Sequence, residues 1–360
     1  MHQFIQIYAL FYTLGKFFSF KFDVMKKLFL FIFFSLLLAG FAGGFYLKKR
    51  LETPSMNKNP IILEIPIGSS PAKVSQILHE NKVWNDPDMF RLWCRVKKCA
   101  LKAGWFEIPP QQNLEELIAI FESGKNAVRK VTIPEGRASW EMPFYIKKEY
   151  PELDAAVWDS LVQDAKFARS LGVNASSLEG YLFPETYLLP FKSDEETIIK
   201  TMVAANLKLR DELQSQGASV WKKLGGWHQI LTLASVVEEE TGNTSERTII
   251  AGVFHNRLDL GMPLGADPTV RFIFKNLTGP IYKSQLNSDS PYNTRKFAGL
   301  MPGPISNPGR QAIEAVLNPE KTNKLYFVAK DDGSGTHFFG STLIEHNRFK
   351  DSAAQNRLRH

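Results

Sequence analysis

The chain has 360 residues, 44% of them hydrophobic and 22% charged, with a formal net charge of +7 and a pI near 9.1. That length allows two or three domains of ordinary size, and the composition is that of a folded protein. The positive balance favours anionic partners, but the basic residues are scattered, with no Arg-rich block or nucleic-acid motif, so nucleic acid is not an expected partner.

The first element is a long apolar run. Leu28 to Leu47 carries no charge, and about 20 residues rising 1.5 Å each cross a hydrocarbon layer of roughly 30 Å. Lys26 and Lys27 precede the run and Lys48, Lys49 and Arg50 follow it. That near symmetry leaves its orientation open. A cleaved signal peptide would carry a shorter apolar core and a small-residue cleavage site. This run ends in Phe45-Tyr46-Leu47 and then bases, so a retained transmembrane helix over 28–47 is expected. No cysteine follows that could carry a lipid. Met25-Lys26-Lys27 resembles a natural start, which makes residues 1–24 an upstream extension.

The polar, proline-containing stretch to Pro60 reads as a linker, 48–60. Ile61 to Ile67 reads as a strand, and helical stripes follow at Pro71–Glu80 and Asp86–Lys98. A strand at Gly104–Ile108 precedes a helix capped by Asn113, with Glu116 as its capping-box partner, stopping at Gly124. Val128–Ile133 reads as a further strand. Cys94 and Cys99 are the chain's two cysteines. With no Cys-x-x-Cys pair they do not suggest zinc or thioredoxin-type chemistry, and so short a loop favours free thiols over a disulfide.

Beyond Val131, helices read at Glu141–Glu149, Ser193–Gln214 and His228–Thr241, and a strand at Leu325–Ala329. Turn-rich stretches lie at Gly180–Pro190, Gly261–Thr269 and Gly299–Gly309. Short elements joined by long loops predict an α+β fold. There is no phosphate-binding Gly-rich loop, no His-Glu-x-x-His and no Gly-x-Ser-x-Gly elbow. The seven histidines lie far apart, so neither a metal site nor a cofactor is expected. Carboxylate chemistry remains.

Its best candidate is LASVVEEETGN, Leu233 to Asn243. On a helical wheel Ile230, Ala234 and Val237 centre the apolar face, and Thr232, Ser235 and Glu239 fall opposite, which makes Glu239 a solvated charge. Glu238 lies beside Leu231 and Ala234, and Glu240 beside Leu233 and Val236, at the two edges. A carboxyl against apolar neighbours binds its proton more tightly, as a general acid must near neutral pH. The competing reading makes both of them ion-pair members, with Arg247 or Arg257 as partner. The wheel does not separate Glu238 from Glu240.

That helix motif, with SERTIIAGVFHNRLDLGMPLGADPTV (Ser245–Val270), SPYNT (Ser290–Thr294), GLMPGPISNPG (Gly299–Gly309), EGYLFPETY (Glu179–Tyr187), VTIPEG (Val131–Gly136) and LYFVA (Leu325–Ala329), resembles the YceG-like endolytic murein transglycosylases. The resemblance implies a small LysM-like subdomain over 61–130 and an α+β catalytic domain over 131–360. It places residues 1–27 in the cytoplasm and the catalytic domain outside, on a single-pass inner-membrane protein. It implies cleavage of the β-1,4 bond after N-acetylmuramic acid within nascent strands, leaving 1,6-anhydro ends. Peptidoglycan strands and the membrane are then the partners, with cell-wall synthases as candidates.

It also maps the catalytic glutamate onto Glu238. A single carboxyl suffices where the nucleophile is the sugar's own 6-hydroxyl, whereas an ordinary glycosidase needs two. Asp267, Tyr292, Asn293, Thr294 and Glu240 are the candidate substrate-binding residues. Asp267 reads equally as a turn cap before proline, and Tyr181, Phe183 and Tyr187 more readily as core. His255 and His337 read as structural histidines. Two rivals remain: a non-catalytic peptidoglycan-binding scaffold, and a muramidase in which Asp267 activates water.

Overall fold

The computed structural model describes residues 2–275, 277 and 279–358, with residues 2–24 as backbone alone. It is a mixed α+β structure in two compact units, Met1–Ala127 and Val128–His360.

The first unit opens with helix α1 (His2–Leu51). Its segment Met25–Leu51 is long and apolar enough to cross a membrane, and its most apolar stretch buries nothing within the protein. Strand β1 (Ile61–Ile65) pairs antiparallel with β2 (Gly104–Ile108), from Ile61 opposite Ile108 to Ile65 opposite Gly104. The expected strand to Ile67 stops at Ile65 because Pro66 has no N–H to give the ladder. Leu63, Ile65, Phe106 and Ile108 alternate into the core.

Helices α2 (Pro71–Glu80) and α3 (Pro87–Lys97) lie between the strands in sequence. Each starts on an N-cap followed by proline: Ser70 accepts from the Lys73 N–H, and Asp86 from the Met89 N–H. Helix α4 (Leu114–Ser123) carries the Asn113–Glu116 capping box and ends at Gly124, whose φ of 67° suits the left-handed C-cap. Phe106 meets Phe121 edge-on at 5.3 Å in this unit's core. Cys94 and Cys99 are free thiols. Burial, with Cys99 beside it, pushes the Cys94 thiol well up.

In the second unit β3 (Val128–Thr132) pairs antiparallel with β4 (Thr186–Pro190), Val131 opposite Tyr187. Between them come α5 (Met142–Ile146), α6 (Ala155–Gln163) and α7 (Ala165–Ser170). Then follow α8 (Glu195–Leu213), α9 (Ala218–Leu224), α10 (Trp227–Glu240), α11 (Arg247–Asp259), α12 (Asp267–Ile273), α13 (Lys283–Leu286) and α14 (Arg310–Leu317). A hairpin of β5 (Tyr326–Ala329) and β6 (His337–Gly340) packs against α15 (Leu343–Arg357).

Helix α10 is the axis of this unit, packed on α14, α11 and α12. Every residue from Ile230 to Val237 is buried. The wheel therefore misassigned one face: Thr232 and Ser235 are 1% and 0% exposed. Each hydroxyl bonds back to its own helix, and Ser235 Oγ also accepts the Ile305 N–H at 3.0 Å. Small self-satisfied hydroxyls let the Gly299–Gly309 loop lie directly on that face, where the wheel put water.

Candidate active site

The last turn of α10 sends its three carboxyls in three directions. Glu238 turns inward, with a side chain only 6% exposed. One oxygen accepts from Arg247 Nη2, and the other accepts the Gly309 N–H at 3.0 Å. Gly309 is the N-cap of α14, so the positive end of that helix also faces the carboxyl. Arg247, the first residue of α11, is the ion-pair partner that the competing sequence reading named. Its Nη1 lies 3.7 Å from Glu135 and donates to Gln311 at 3.3 Å. Burial raises the proton affinity of Glu238, Arg247 and the Gly309 N–H pull it back, and Glu135 adds to the rise; the sum is upward.

Glu239 points into an open cavity of about 310 Å³. Trp140, Glu141, Arg271, Phe272 and Ser306 share the lining. Although Glu239 is exposed to solvent, partial burial of its carboxyl against the cavity wall pushes it up to about 7, and the charges of Glu141 and Glu238 add to the rise while Arg137 opposes it. Glu239 is solvent-facing as expected, and this face of the helix also opens onto the cavity. Gly136 lets the chain pass close here at φ +72°, since a Cβ would lie 2.8 Å from Glu239 Oε1 and 3.4 Å from Glu238 Cγ. Gly136 also lines the cavity, so Glu238 sits just behind its wall.

Glu240 is half-buried. Burial and the charge of Asp267 push it up to about 8, against Arg295 and Arg257. Asp267 opens α12 and is half-exposed, paired with Arg295 at 2.5 Å. Its neighbour Pro268 reaches the cavity lining. Tyr292 packs on Phe272 at 4.9 Å, and Phe272 on Trp140 at 5.2 Å, a row of rings extending from the cavity.

Asn293 and Thr294 are turned inward, 0% and 2% exposed. The Asn293 amide donates to the Leu286 and Ser288 carbonyls, and Thr294 Oγ1 accepts the Ala266 N–H. In this structure their polar groups brace the loop beside α12. Tyr181 and Tyr187 are buried in the core. His255 Nε2 donates to the Val316 carbonyl at 2.9 Å, and His337 pairs with Glu246 at 2.7 Å.

Sequence reasoning singled out no role for the pair that holds the two cavity loops together. Glu179, buried, accepts from the Ser139 N–H and hydroxyl and from the Asn307 amide. Burial pushes its carboxyl up to about 7 against the two Ser139 donors. Asn307, 0% exposed, also donates to the Arg137 carbonyl and accepts the Leu182 N–H. Its backbone bridges to Gly136 and Arg137 at 3.0 Å each. The signal was present as polar residues inside the otherwise apolar or turn-like EGYLFPETY and ISNPG segments.

A model of the YceG-like family matches residues 63–352. A Bacillus subtilis (strain 168) protein named endolytic murein transglycosylase is 32% identical over 338 residues, covering 86% of this chain and 89% of that protein. A Streptococcus pneumoniae (strain D39) protein of the same name is 30% identical over 350 residues, 88% of this chain and 63% of that one. The crystal structure of a yceG-like protein from Listeria monocytogenes, 34% identical, superposes with a TM-score of 0.55 over 81% of this chain and 99% of that chain.

Proposed function

Because this chain belongs to the YceG-like family, we propose that it is an endolytic murein transglycosylase that cuts the β-1,4 bond after N-acetylmuramic acid within a glycan strand. The observation that carries the reading is the end of α10: three adjacent carboxyls, each with raised proton affinity, beside an open cavity edged by Trp140 and Phe272. Aromatic faces and carboxylates are what a sugar's C–H and hydroxyl surfaces recognise.

Glu238 is the acid and base. Its proton passes to the glycosidic oxygen as the C1–O bond breaks. The 6-hydroxyl oxygen of the same sugar closes on C1, and its proton returns to Glu238. No water is consumed, and the product is a 1,6-anhydro end. A raised proton affinity suits the first step, and the intramolecular nucleophile removes the need for a second catalytic carboxyl. Glu240, Asp267 and Tyr292 border the glycan path, and Asn293 and Thr294 hold the loop that presents Tyr292.

Residues 28–47 anchor the chain in the cytoplasmic membrane, with residues 61–360 outside, where the substrate lies. The β1–α2–α3–β2 order supports a LysM-like subdomain over 61–130, ahead of a catalytic domain over 131–360. Cutting a strand during its synthesis ends its elongation, which makes the synthases candidate partners.

The test is digestion of purified glycan strands by the full chain in detergent, with products read by mass spectrometry. Anhydro ends that vanish in Glu238→Gln, while the variant keeps the circular-dichroism spectrum of the folded chain, are expected. Reducing ends would indicate a muramidase. Binding without cleavage by the wild type would indicate a scaffold, and either result overturns the proposal.

A further inference from the structure

The ion pair under the cavity wall raises a difficulty that its geometry also answers. A carboxyl locked to a buried guanidinium is a poor proton carrier, because protonating it leaves the cation without a counter-charge. Arg247 is as buried as Glu238, each side chain being 6% exposed. Its hydrogen bonds are not all committed to that partner. Nη2 serves Glu238, Nη1 faces Glu135 at 3.7 Å, and Nε is buried with no hydrogen-bond partner among the described residues.

Glu135 is placed by a close approach. Its carboxyl lies against the Cα of Gly309, where a Cβ would come within 2.0 Å of Glu135 Oε1. The same Gly309 gives its N–H to Glu238. The same glycine therefore adjoins both carboxyls, which face the two Nη atoms of one guanidinium. Glu135 is 44% exposed, so solvent reaches its carboxyl group.

We infer that Glu135 is a positioning residue for the proton-transfer step, the alternate counter-ion that keeps Arg247 paired while Glu238 carries its proton. When Glu238 is ionised, Arg247 is shared between two carboxylates. When Glu238 takes up a proton, the guanidinium turns its charge to Glu135. The cycle moves only one proton, onto and off Glu238. Among the described residues, Glu239 on its own helix also places a charge near Glu238, and α14 contributes the neutral Gln311.

This rests on Glu238 being the acid, and the experiment keeps the two ideas apart. Turnover of glycan strands to anhydro ends is measured against pH for the full chain in detergent, for wild type, Glu135→Gln and Glu135→Asp. In Glu135→Gln Arg247 has one carboxylate left and binds it undivided, and a like charge is gone, so Glu238 gives up its proton at lower pH. The alkaline limb of kcat is expected to move down by roughly half a pH unit, the scale of a half-exposed like charge at an effective dielectric near 20. A several-fold loss of kcat at neutral pH should accompany it, with KM little changed, and Glu135→Asp should restore most of the limb. A merely structural Glu135 would lower activity without moving the limb. Superimposable profiles overturn the inference while leaving Glu238 as the acid. Absence of anhydro ends from the wild type overturns the reading beneath it, and this inference with it.

Discussion

Asn307→Ala is expected to be among the most damaging single changes outside the apolar core. The side chain is 0% exposed and makes three hydrogen bonds: from the Leu182 N–H at 2.8 Å, to the Arg137 carbonyl at 2.9 Å and to Glu179 at 2.9 Å. Truncation does not affect all three partners equally. Arg137 O keeps the Asn307 backbone N–H, and Glu179 keeps the two Ser139 donors. Leu182 N–H alone is stranded, at about 1–3 kcal/mol, with about 1 kcal/mol more for the weakened pair. A total of roughly 3 kcal/mol lowers the melting temperature of a unit this size by about 6–12 °C. Asn307→Asp should be worse above neutral pH, because it sets a second carboxylate against Glu179 as that group ionises near 7. Thermal unfolding of the full chain by circular dichroism, at pH 6 and pH 8, measures both. An Asn307→Ala midpoint within about 2 °C of wild type would refute the idea that this amide joins the loops.

Two further outcomes follow from the same geometry. Burial holds Glu179 up to about 7 and Glu240 up to about 8 in the folded chain, against about 4.3 in an unfolded one. The folded state therefore binds more protons between those values. This stabilisation is complete below about pH 4 and is lost as pH rises through 7 to 8. The melting temperature should fall from pH 5 to pH 8.5 by this contribution, and a rise over that interval would contradict it. Gly309→Ala adds a methyl where Glu135 now rests, at a φ of −75° that alanine accepts. Because Glu135 is half-exposed and can move aside, stability should change by no more than about 1 kcal/mol. The turnover profile should nevertheless shift as it does in Glu135→Gln; an unshifted profile would separate the glycine from the counter-ion.

Much of the local structure was legible because it rests on local chemistry. The Asn113–Glu116 box, the prolines opening α2 and α3 and the glycine ending α4 all act within a few residues. Strand β4 was not legible as such: its partner β3 lies more than fifty residues away and it sits inside a proline-flanked, turn-like segment. The wheel on α10 failed for a related reason. It assumed a two-sided helix with one face in water, whereas this helix is enclosed on all sides up to Val237 and the Gly299–Gly309 loop covers the Thr232–Ser235 face. Glu239 was set aside on that assumption. The motif pointed to the right helical turn, but which carboxyl faces the cavity and which faces Arg247 depends on contacts from residues 135, 247 and 309, which only folding brings together.

Asn307 and Gly309 are two steps apart, and each answers to a different anchor: Asn307 to Glu179 and Arg137, Gly309 to Glu238 and Glu135. Between them stands Pro308, with its restricted φ. One added or missing residue would pull one anchor or the other out of register by the length of a peptide unit, about 3.8 Å. The segment behaves as a ruler. Its side chains could be exchanged at a cost, but its length could not change without detaching either the loop from the fold or the glutamate from its donor.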